Sequence, residues 1–436
     1  MSIRRLGSWL VFAPVLLACN GTSTGNPMDD PNAGKVPDGA KLLKSEIARD
    51  ADPALSAQDA ATLGLGNRAF TFDLYRAKAE QDDGNLFLSP FSVSVALAMT
   101  YAGARGQTET EIKNVLHFDL PQPLLHTAFN ATLRALDGRG TELPAQSTGT
   151  GFNLRIVNQA WGQTGYPFLS SYLDVLAQNY GAGLFAVAFA ESEKTRQTIN
   201  GWVEEQTETR IKDLLPPGSL TSDTRLVLTN AIYFKASWLS KFDASRTQEG
   251  VFHAPGGDRT VSMMHQTLDA AYTEGDNYQA LELPYVSPAV RMILVLPAEG
   301  QFDTVVAGLD EAFFQGLRSN LSEHTATVTL PKFQFETKSA LRGTLSALGM
   351  PTPFGDADFS GIAGGVEQLA ISDVFHNTFV AIDEQGTEAA AATAVVIGTE
   401  SAKPSAEISF DRPFLFAIYD EPSGQVLFIG HLRDPG

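Results

Sequence analysis

Near its C-terminal end the chain reads Glu384-Gln385-Gly386-Thr387-Glu388-Ala389-Ala390-Ala391-Ala392-Thr393-Ala394-Val395-Val396-Ile397-Gly398-Thr399-Glu400-Ser401. The alanines favour a helix, whereas the Val-Val-Ile run that follows favours a strand, so local propensity does not choose one structure. With a period of two, small and β-branched residues fall on one side and the acids Glu388 and Glu400 on the other. The stretch is therefore compatible with an exposed loop, with a short helix, or with a strand that buries one side.

The segments on either side of this stretch are more strongly specified. Residues 371–383 alternate in a way that leaves both faces apolar, which predicts a strand in the centre of a sheet. Lys403-Pro404 is a turn signal, and the apolar residues 410–416 predict a second strand. A long loop that can switch structure thus connects two well-defined strands.

The arrangement from Phe375 to Phe416 resembles the hinge and reactive-centre loop of serpins, a family of serine protease inhibitors. Other segments also resemble the family, namely residues 85–92, 226–235, 261–264, 282–285, 293–297, 330–333, 348–350 and 358–362. The resemblance runs from about Leu63 to Asp434 and covers one domain. A two-domain organisation, which 436 residues would also permit, is therefore set aside.

The resemblance implies an α+β fold in a single serpin domain, residues 58–436, with three β-sheets and about nine helices. The exposed reactive-centre loop is expected over residues 384–404. The sequence contains no histidine pair at the spacing of a zinc protease, no Gly-x-Ser-x-Gly motif and no phosphate-binding glycine loop. We therefore expect no enzymatic activity, and we assign no catalytic residue, metal ligand or cofactor.

The family mechanism is inhibition by suicide cleavage, in which the cut loop inserts into the central sheet and traps the protease as a covalent complex. Insertion requires small residues, because bulky or charged side chains in a packed sheet cost several kcal/mol, on the order of 2–5. The resemblance assigns a hinge that satisfies this, made of Glu384, Gly386, Thr387, Ala389, Ala390, Ala391 and Ala392. The alternative is a non-inhibitory serpin that acts as a binding or structural surface protein.

The usual spacing of the family, counted from Glu384, gives Glu400-Ser401 as the reactive bond. Counting back from Pro413 instead points nearer Ala402, and Glu400 could also be one more acid in an acidic chain. If Glu400 is correct, the partner is a serine protease that cleaves after glutamate. A cysteine protease of the papain type remains open as a target.

By resemblance, Ser89, Ser92, Asn230 and His376 form the shutter, a buried polar cluster where the sheet opens. Trp238 matches the breach at the top of the sheet. His376 could equally be a satisfied core histidine, and Trp238 could simply pack in the core.

The N-terminus has Arg4-Arg5, an apolar run over residues 9–18 and then Cys19, the only cysteine. This pattern predicts a signal peptide over residues 1–18, and the position of Cys19 resembles the lipidation site of bacterial lipoproteins. Residues 19–57 are then a lipidated cysteine and a flexible tether. An ordinary signal peptide with a chance cysteine is the alternative. We expect an exported, lipid-anchored protein of the bacterial cell envelope, either periplasmic or on the extracellular surface.

The formal net charge of −19 argues against a nucleic-acid partner, which would require clustered Lys and Arg. The region that binds heparin in some serpins offers only Arg134 and Arg139 here, so no heparin-like cofactor is expected. A single cysteine permits no internal disulfide. We expect a monomer that contacts the membrane only through a lipid anchor at Cys19.

Overall fold

The computed structural model describes residues 35–140, 151–364, 369–387 and 403–436. In this part of the chain the ten α-helices and the strands occur largely in separate runs, as expected for an α+β fold. The helices are α1 (Ala57–Ala79), α2 (Pro90–Tyr101), α3 (Gly106–Val115), α4 (Gln122–Gly138), α5 (Ser170–Tyr180), α6 (Ser192–Gln206), α7 (Phe302–Ala307), α8 (Glu311–Asn320), α9 (Arg342–Leu348) and α10 (Ser360–Ala363).

The strands build two sheets. They are β1 (Lys41–Leu43), β2 (Leu86–Leu88), β3 (Phe152–Gln163), β4 (Leu184–Val187), β5 (Leu226–Ser237), β6 (Gln248–Ala254), β7 (Gly257–Gly275), β8 (Tyr278–Pro284), β9 (Val290–Pro297), β10 (Ser322–Pro331), β11 (Phe333–Ala340), β12 (Val374–Asp383), β13 (Gly386–Thr387), β14 (Ser405–Ser409), β15 (Phe414–Asp420) and β16 (Gln425–Leu432). The first sheet has the order β1-β4-β3-β5-β13-β12-β11. The second has the order β14-β10-β7-β8-β9-β15-β16-β2, and β6 pairs with β7.

The number of sheets differs from the expected three. Within the described ranges the strands form two hydrogen-bonded sheets, of seven and nine strands. The reason is the length of β7, which has 19 residues. It pairs with β6 at its start, with β10 along its middle and with β8 at its end. One continuous strand therefore joins what the resemblance implied as two separate sheets.

Helix α2 lies between the two sheets, where it packs on β3 and β5 of the first and on β16 of the second. All of its residues are buried, which agrees with a sequence that is apolar nearly all round. Ser89 caps its N-terminus by accepting a hydrogen bond from the backbone N–H of Ser92, and Pro90 occupies the first turn. This cap places the start of α2 directly beneath the first sheet.

The segment 19–57, expected to be a tether, is folded in the part that the structure describes. Lys41–Leu43 pairs antiparallel with Leu184–Val187 and adds an edge strand to the first sheet. Lys44 donates to the carbonyl of Gly181, and Asn130 donates to the carbonyl of Asp50. Among the helices described, none is long and apolar enough to cross a membrane.

Candidate functional site

The first sheet has an opening between its central strands β5 and β12. These strands pair in parallel at one end, where residues 228–232 face residues 374–378. At the other end β13 lies between them and pairs with both. Between these ends, residues 233–235 of β5 and 379–381 of β12 have no strand between them in the described chain. We call the gap between these six residues the slot.

The hinge enters the slot through Gly386. Its φ of +146° is a conformation that side-chain-bearing residues rarely adopt. A Cβ at this position would also collide with the carbonyl oxygen of Ala236 on β5. Glycine is therefore required for the chain to turn from β12 back into the opening.

Thr387 is the first hinge side chain inside the sheet, and it is 2% exposed. Its hydroxyl is 2.7 Å from the phenolic oxygen of Tyr285. The ring of Tyr285 stacks on Trp238, with centroids 4.7 Å apart and planes at 12°. The indole N–H of Trp238 donates to the carbonyl of Asp383, at the end of β12. These aromatic residues thus close the top of the slot and fix both strands that border the hinge.

Glu384 anchors the turn that precedes the hinge. Its carboxylate lies 2.9 Å from the ammonium group of Lys332 and accepts a 2.8 Å hydrogen bond from the hydroxyl of Thr247. Its carbonyl accepts a bond from the N–H of Phe242. Partial burial opposes the charge, but the bonds from Lys332 and Thr247 outweigh it and hold the pKa of Glu384 below its ordinary value. Glu384 is therefore an ionised anchor at neutral pH.

At the paired end of the slot, His376 of β12 lies directly opposite Asn230 of β5. The ring atom Nδ1 of His376 is 2.5 Å from Oδ1 of Asn230, and Nε2 accepts a hydrogen bond from the backbone N–H of Ser89. Since Nε2 is an acceptor, Nδ1 carries the proton and the ring is neutral. Complete burial lowers the pKa of His376 to about 3, which favours this neutral form.

The remaining polar groups complete this cluster. Ser92 donates to Oδ1 of Asn230 at 2.9 Å, and Ser89 donates to the carbonyl of Leu427 at 2.6 Å. The amide of Asn230 also bonds to the side chain of Asn158 on β3. The network therefore connects β3, β5, β12 and the start of α2 at the point where β5 and β12 would have to separate.

The loop leaves the described chain at Thr387 and returns at Lys403. The ammonium group of Lys403 lies 3.0 Å from Asp269 and 3.6 Å from Glu323. The carbonyl of Pro404 accepts a hydrogen bond from the N–H of Thr325, and β14 then continues in parallel with β10. The far end of the loop is thus fixed to the second sheet.

The structure brings together the predicted shutter residues Ser89, Ser92, Asn230 and His376, and it places Trp238 against the predicted hinge residues. Other predicted residues lie outside the described residues, so their assignments stay predictions. They are Cys19, Ala389, Ala390, Ala391, Ala392, Glu400 and Ser401.

Four residues that contact the site are not among those predicted from the sequence: Asn158, Thr247, Tyr285 and Lys332. Tyr285 and Lys332 lie within segments that resemble the family, but their sequence pattern indicates no particular role. Asn158 follows Val157 in a strand pattern, and its amide is the polar group that faces Asn230 across β3 and β5. Asn158 shares a face of β3 with Leu154, Ile156 and Ala160, and a polar residue on that apolar face is the signal that could identify it.

Comparisons with known proteins agree with this architecture. The sequence model of the family described as Serpin (serine protease inhibitor) matches residues 65–435. An uncharacterised serpin-like protein of Thermococcus kodakarensis is 43% identical over 371 residues, which cover 84% of each chain. The leukocyte elastase inhibitor of Sus scrofa is 36% identical over 388 residues, covering 86% of this chain and 99% of the inhibitor.

Solved structures show the same similarity. The crystal structure of tengpin, a thermophilic serpin in the native state, matches with a TM-score of 0.78 at 27% identity. The match covers 91% of this chain and 99% of tengpin. The chain therefore belongs to the serpin family, whose members mostly inhibit proteases and generally target serine proteases.

Proposed function

We propose that this serpin inhibits a serine protease by suicide cleavage of its reactive-centre loop, followed by insertion of the loop into the first sheet. The observation that carries this proposal is the position of Gly386 and Thr387, which already lie between β5 and β12 at the head of the slot. The residues that follow them in the chain are small. A cut loop would extend this strand along the slot.

The energy of such a strand is large enough to do mechanical work. Each new ladder hydrogen bond contributes on the order of 1 kcal/mol net. A strand bonded on both sides along residues 386–397 would gain roughly 10 kcal/mol, comparable with the stability of a whole domain. This gain can drag and distort a protease that is covalently attached to the loop, provided that the native form is kinetically trapped.

We propose Glu400-Ser401 as the reactive bond and a serine protease that cleaves after glutamate as the target. Relatives that carry the name leukocyte elastase inhibitor support an inhibitor rather than an enzyme. The alternatives are a bond nearer Ala402, a papain-type target and a non-inhibitory serpin with a binding or structural role. The small residues of the hinge favour inhibition over the last of these.

We also propose that the domain is a monomer that is exported and lipid-anchored at Cys19 in the bacterial cell envelope. The support for this location is the sequence alone, a basic start followed by an apolar run that ends at the single cysteine.

The test is incubation with a glutamate-specific serine protease, followed by denaturing gels and mass spectrometry. The expected result is a stable covalent adduct and a released peptide that begins at Ser401. Cleavage at this bond without an adduct would favour the non-inhibitory alternative for that protease. Cleavage at another bond would assign a different reactive bond. Formation of the covalent adduct would then still decide whether the protein is an inhibitor.

A further inference from the structure

Lys403 lies where the chain returns from the reactive-centre loop, and two strands of the second sheet hold its side chain. The ammonium group lies 3.0 Å from the carboxylate of Asp269 on β7 and 3.6 Å from that of Glu323 on β10. Asp269 is itself oriented, because its other carboxylate oxygen accepts a 3.1 Å hydrogen bond from the hydroxyl of Thr325. We call Lys403, Asp269 and Glu323 the clamp.

Other bonds already hold the strand that follows the clamp. β14 pairs with β10 along residues 405–409, and the carbonyl of Pro404 accepts a hydrogen bond from the N–H of Thr325. The ion pairs of the clamp lie on the surface, since the side chains of Asp269 and Glu323 are 55% and 66% exposed. Exposed ion pairs add little to the free energy of unfolding. The stability of the fold therefore does not account for the clamp.

The clamp instead fixes the direction of the chain just before β14. Pro404 restricts the backbone of Lys403 to extended conformations, because the proline ring clashes with a preceding residue in the helical region. The ion pairs hold the ammonium group of the same residue against the second sheet. Lys403 is thus constrained through both its backbone and its side chain. A binding partner does not have to offset the entropy of ordering a residue that is already fixed.

The proposed reactive bond is close to this fixed residue. Ser401 is two residues before Lys403, so the Cα atoms of these residues cannot be more than about 7 Å apart. A protease attacks the scissile carbonyl from one direction only, and freedom of the chain beside that bond slows the attack. Fixing Lys403 therefore narrows the range of positions that Ser401 can take.

We propose that Lys403 is a positioning residue for attack on the bond between Glu400 and Ser401, and that it acts through Asp269 and Glu323. This inference rests on the proposed function, since it concerns the same bond. In this step the protease serine forms an ester with the carbonyl of Glu400, the bond to the nitrogen of Ser401 breaks, and the proton of the serine passes to the released amine. The clamp has no part in insertion, which starts from Gly386 at the other end of the loop.

Lys403→Met tests the clamp because it keeps the apolar stem and removes the charge. The measurements are the rate constant of adduct formation between the full chain and a glutamate-specific serine protease, and the number of inhibitor molecules consumed per adduct. We expect the rate constant to fall about tenfold, as for one backbone residue that has to be ordered on binding. The number consumed per adduct should not change, because the choice between adduct and cleaved product follows the attack.

Lys194→Met is the matched control for the loss of charge. Lys194 lies on α6 and forms a surface ion pair with Glu191 at 2.8 Å, so this variant also loses one positive charge and one exposed pair. Its rate constant should equal that of the native chain. A loss as large as that of Lys403→Met would assign the effect to net charge and overturn the inference.

Two further comparisons separate the clamp from a direct contact between Lys403 and the protease. Lys403→Glu combined with Asp269→Lys forms an ion pair of reversed sign, and it should recover the rate that Lys403→Glu alone loses. A synthetic peptide with the sequence of residues 395–406 contains neither Asp269 nor Glu323. In this peptide Lys403→Met should leave the rate of cleavage by the same protease unchanged.

The outcomes distinguish the clamp from the proposed function. Equal rate constants for the native chain and Lys403→Met would overturn the inference about the clamp. An equal loss in the peptide and in the full chain would also overturn it, and so would a double variant as slow as Lys403→Glu. Cleavage of the native chain after Glu400 with no adduct would contradict the proposed inhibition, and the rate of that cleavage would then decide on the clamp.

Discussion

The hydroxyl groups of Tyr285 and Thr387 are 2.7 Å apart, and both side chains are buried. This bond joins the first inserted side chain of the hinge to the strand bridge that Tyr285 forms with Trp238. The start of the reactive-centre loop is therefore docked in the sheet of the uncleaved chain. The strength of this docking can be measured without any protease.

Tyr285→Phe removes the hydrogen bond and keeps the ring that stacks on Trp238. We expect a loss of about 1 kcal/mol in the free energy of unfolding, because the Thr387 hydroxyl stays buried without a partner. The measurement is urea unfolding of the native chain. Thr387→Val supplies the other side of a double-mutant cycle, and the double variant should lose little more than either single variant. Additive losses would mean that the two hydroxyl groups do not interact.

Glu384→Gln tests the ion pair with Lys332, which is 40% exposed at its side chain while Glu384 is 10% exposed. We expect a loss of about 1 kcal/mol at pH 7, since the pair is only partly shielded from solvent. The pKa of Glu384 is lowered in the folded chain, so its stabilisation exists above the ordinary carboxyl pKa and disappears as the pH falls. The difference between the urea midpoints of the two proteins should therefore shrink as the pH is lowered below the ordinary carboxyl pKa. If the difference in urea midpoint between the native chain and Glu384→Gln stayed constant as the pH was lowered, the stabilisation by Glu384 would not be ionic.

The central strands could be predicted from the sequence because their patterns are simple. Residues 226–235 and 371–383 are apolar on both faces, and the structure makes them β5 and β12, neighbours in the first sheet. The edge strand β1 could not be predicted in this way. It has only three residues, Lys41–Leu43, too few to show a period of two, and it joins the sheet through its backbone groups. The joining of two sheets through β7 likewise depends on its partners, not on its own pattern.

The contacts of the site were less predictable than its strands. His376 and Asn230 are far apart in the chain, and only the parallel register of β12 with β5 makes them opposite residues. Tyr285 reaches Thr387 because β8, a strand of the second sheet, ends beside the opening in the first sheet. Such contacts are properties of the assembled strands. A sequence pattern can indicate that a polar residue is buried, but it does not name the partner.

The native state should lose stability as the pH falls from about 6.5 towards 4. Burial lowers the pKa of His376 to about 3 and the pKa values of His126 and His431 to about 4. In this range the unfolded chain binds protons that the folded chain does not, at a cost of up to about 1.4 kcal/mol per pH unit for each histidine. The measurement is the urea midpoint at pH 7, 6 and 5.

His376→Gln is the matched variant for this pH dependence. A glutamine amide can accept from Ser89 and donate to Asn230, so the shutter keeps its hydrogen bonds while it loses one titrating group. Unfolding of the variant takes up roughly one proton fewer in this range. Its free energy of unfolding should therefore fall less steeply between pH 6 and pH 5. An unchanged slope would show that His376 is not a source of the acid sensitivity.

Cleavage of the reactive-centre loop should raise the melting temperature of the chain by tens of degrees. In the intact chain the loop is covalently connected to Lys403, which is fixed to the second sheet. Once the loop is cut it could fill the slot as a strand, and its hydrogen bonds would stabilise the sheet by roughly 10 kcal/mol. The measurement compares melts of the intact chain and of the chain cut at Glu400-Ser401. No increase after a complete cut would contradict insertion and favour a non-inhibitory serpin.

Thr387→Arg is the decisive control for this experiment, because position 387 is 2% exposed in the intact chain. Insertion past this residue would require an arginine to remain buried beside Tyr285. Among the described residues, the Thr387 hydroxyl that it would replace bonds to the phenol of Tyr285 and to no carboxylate. Burial of an unpaired charge costs more than a single ladder bond returns, so the hinge should stay out of the sheet. We expect this variant to be cleaved as a substrate, with no adduct and little gain in melting temperature. Thr387→Val, which inserts a small apolar group at the same position, should retain both the adduct and the gain.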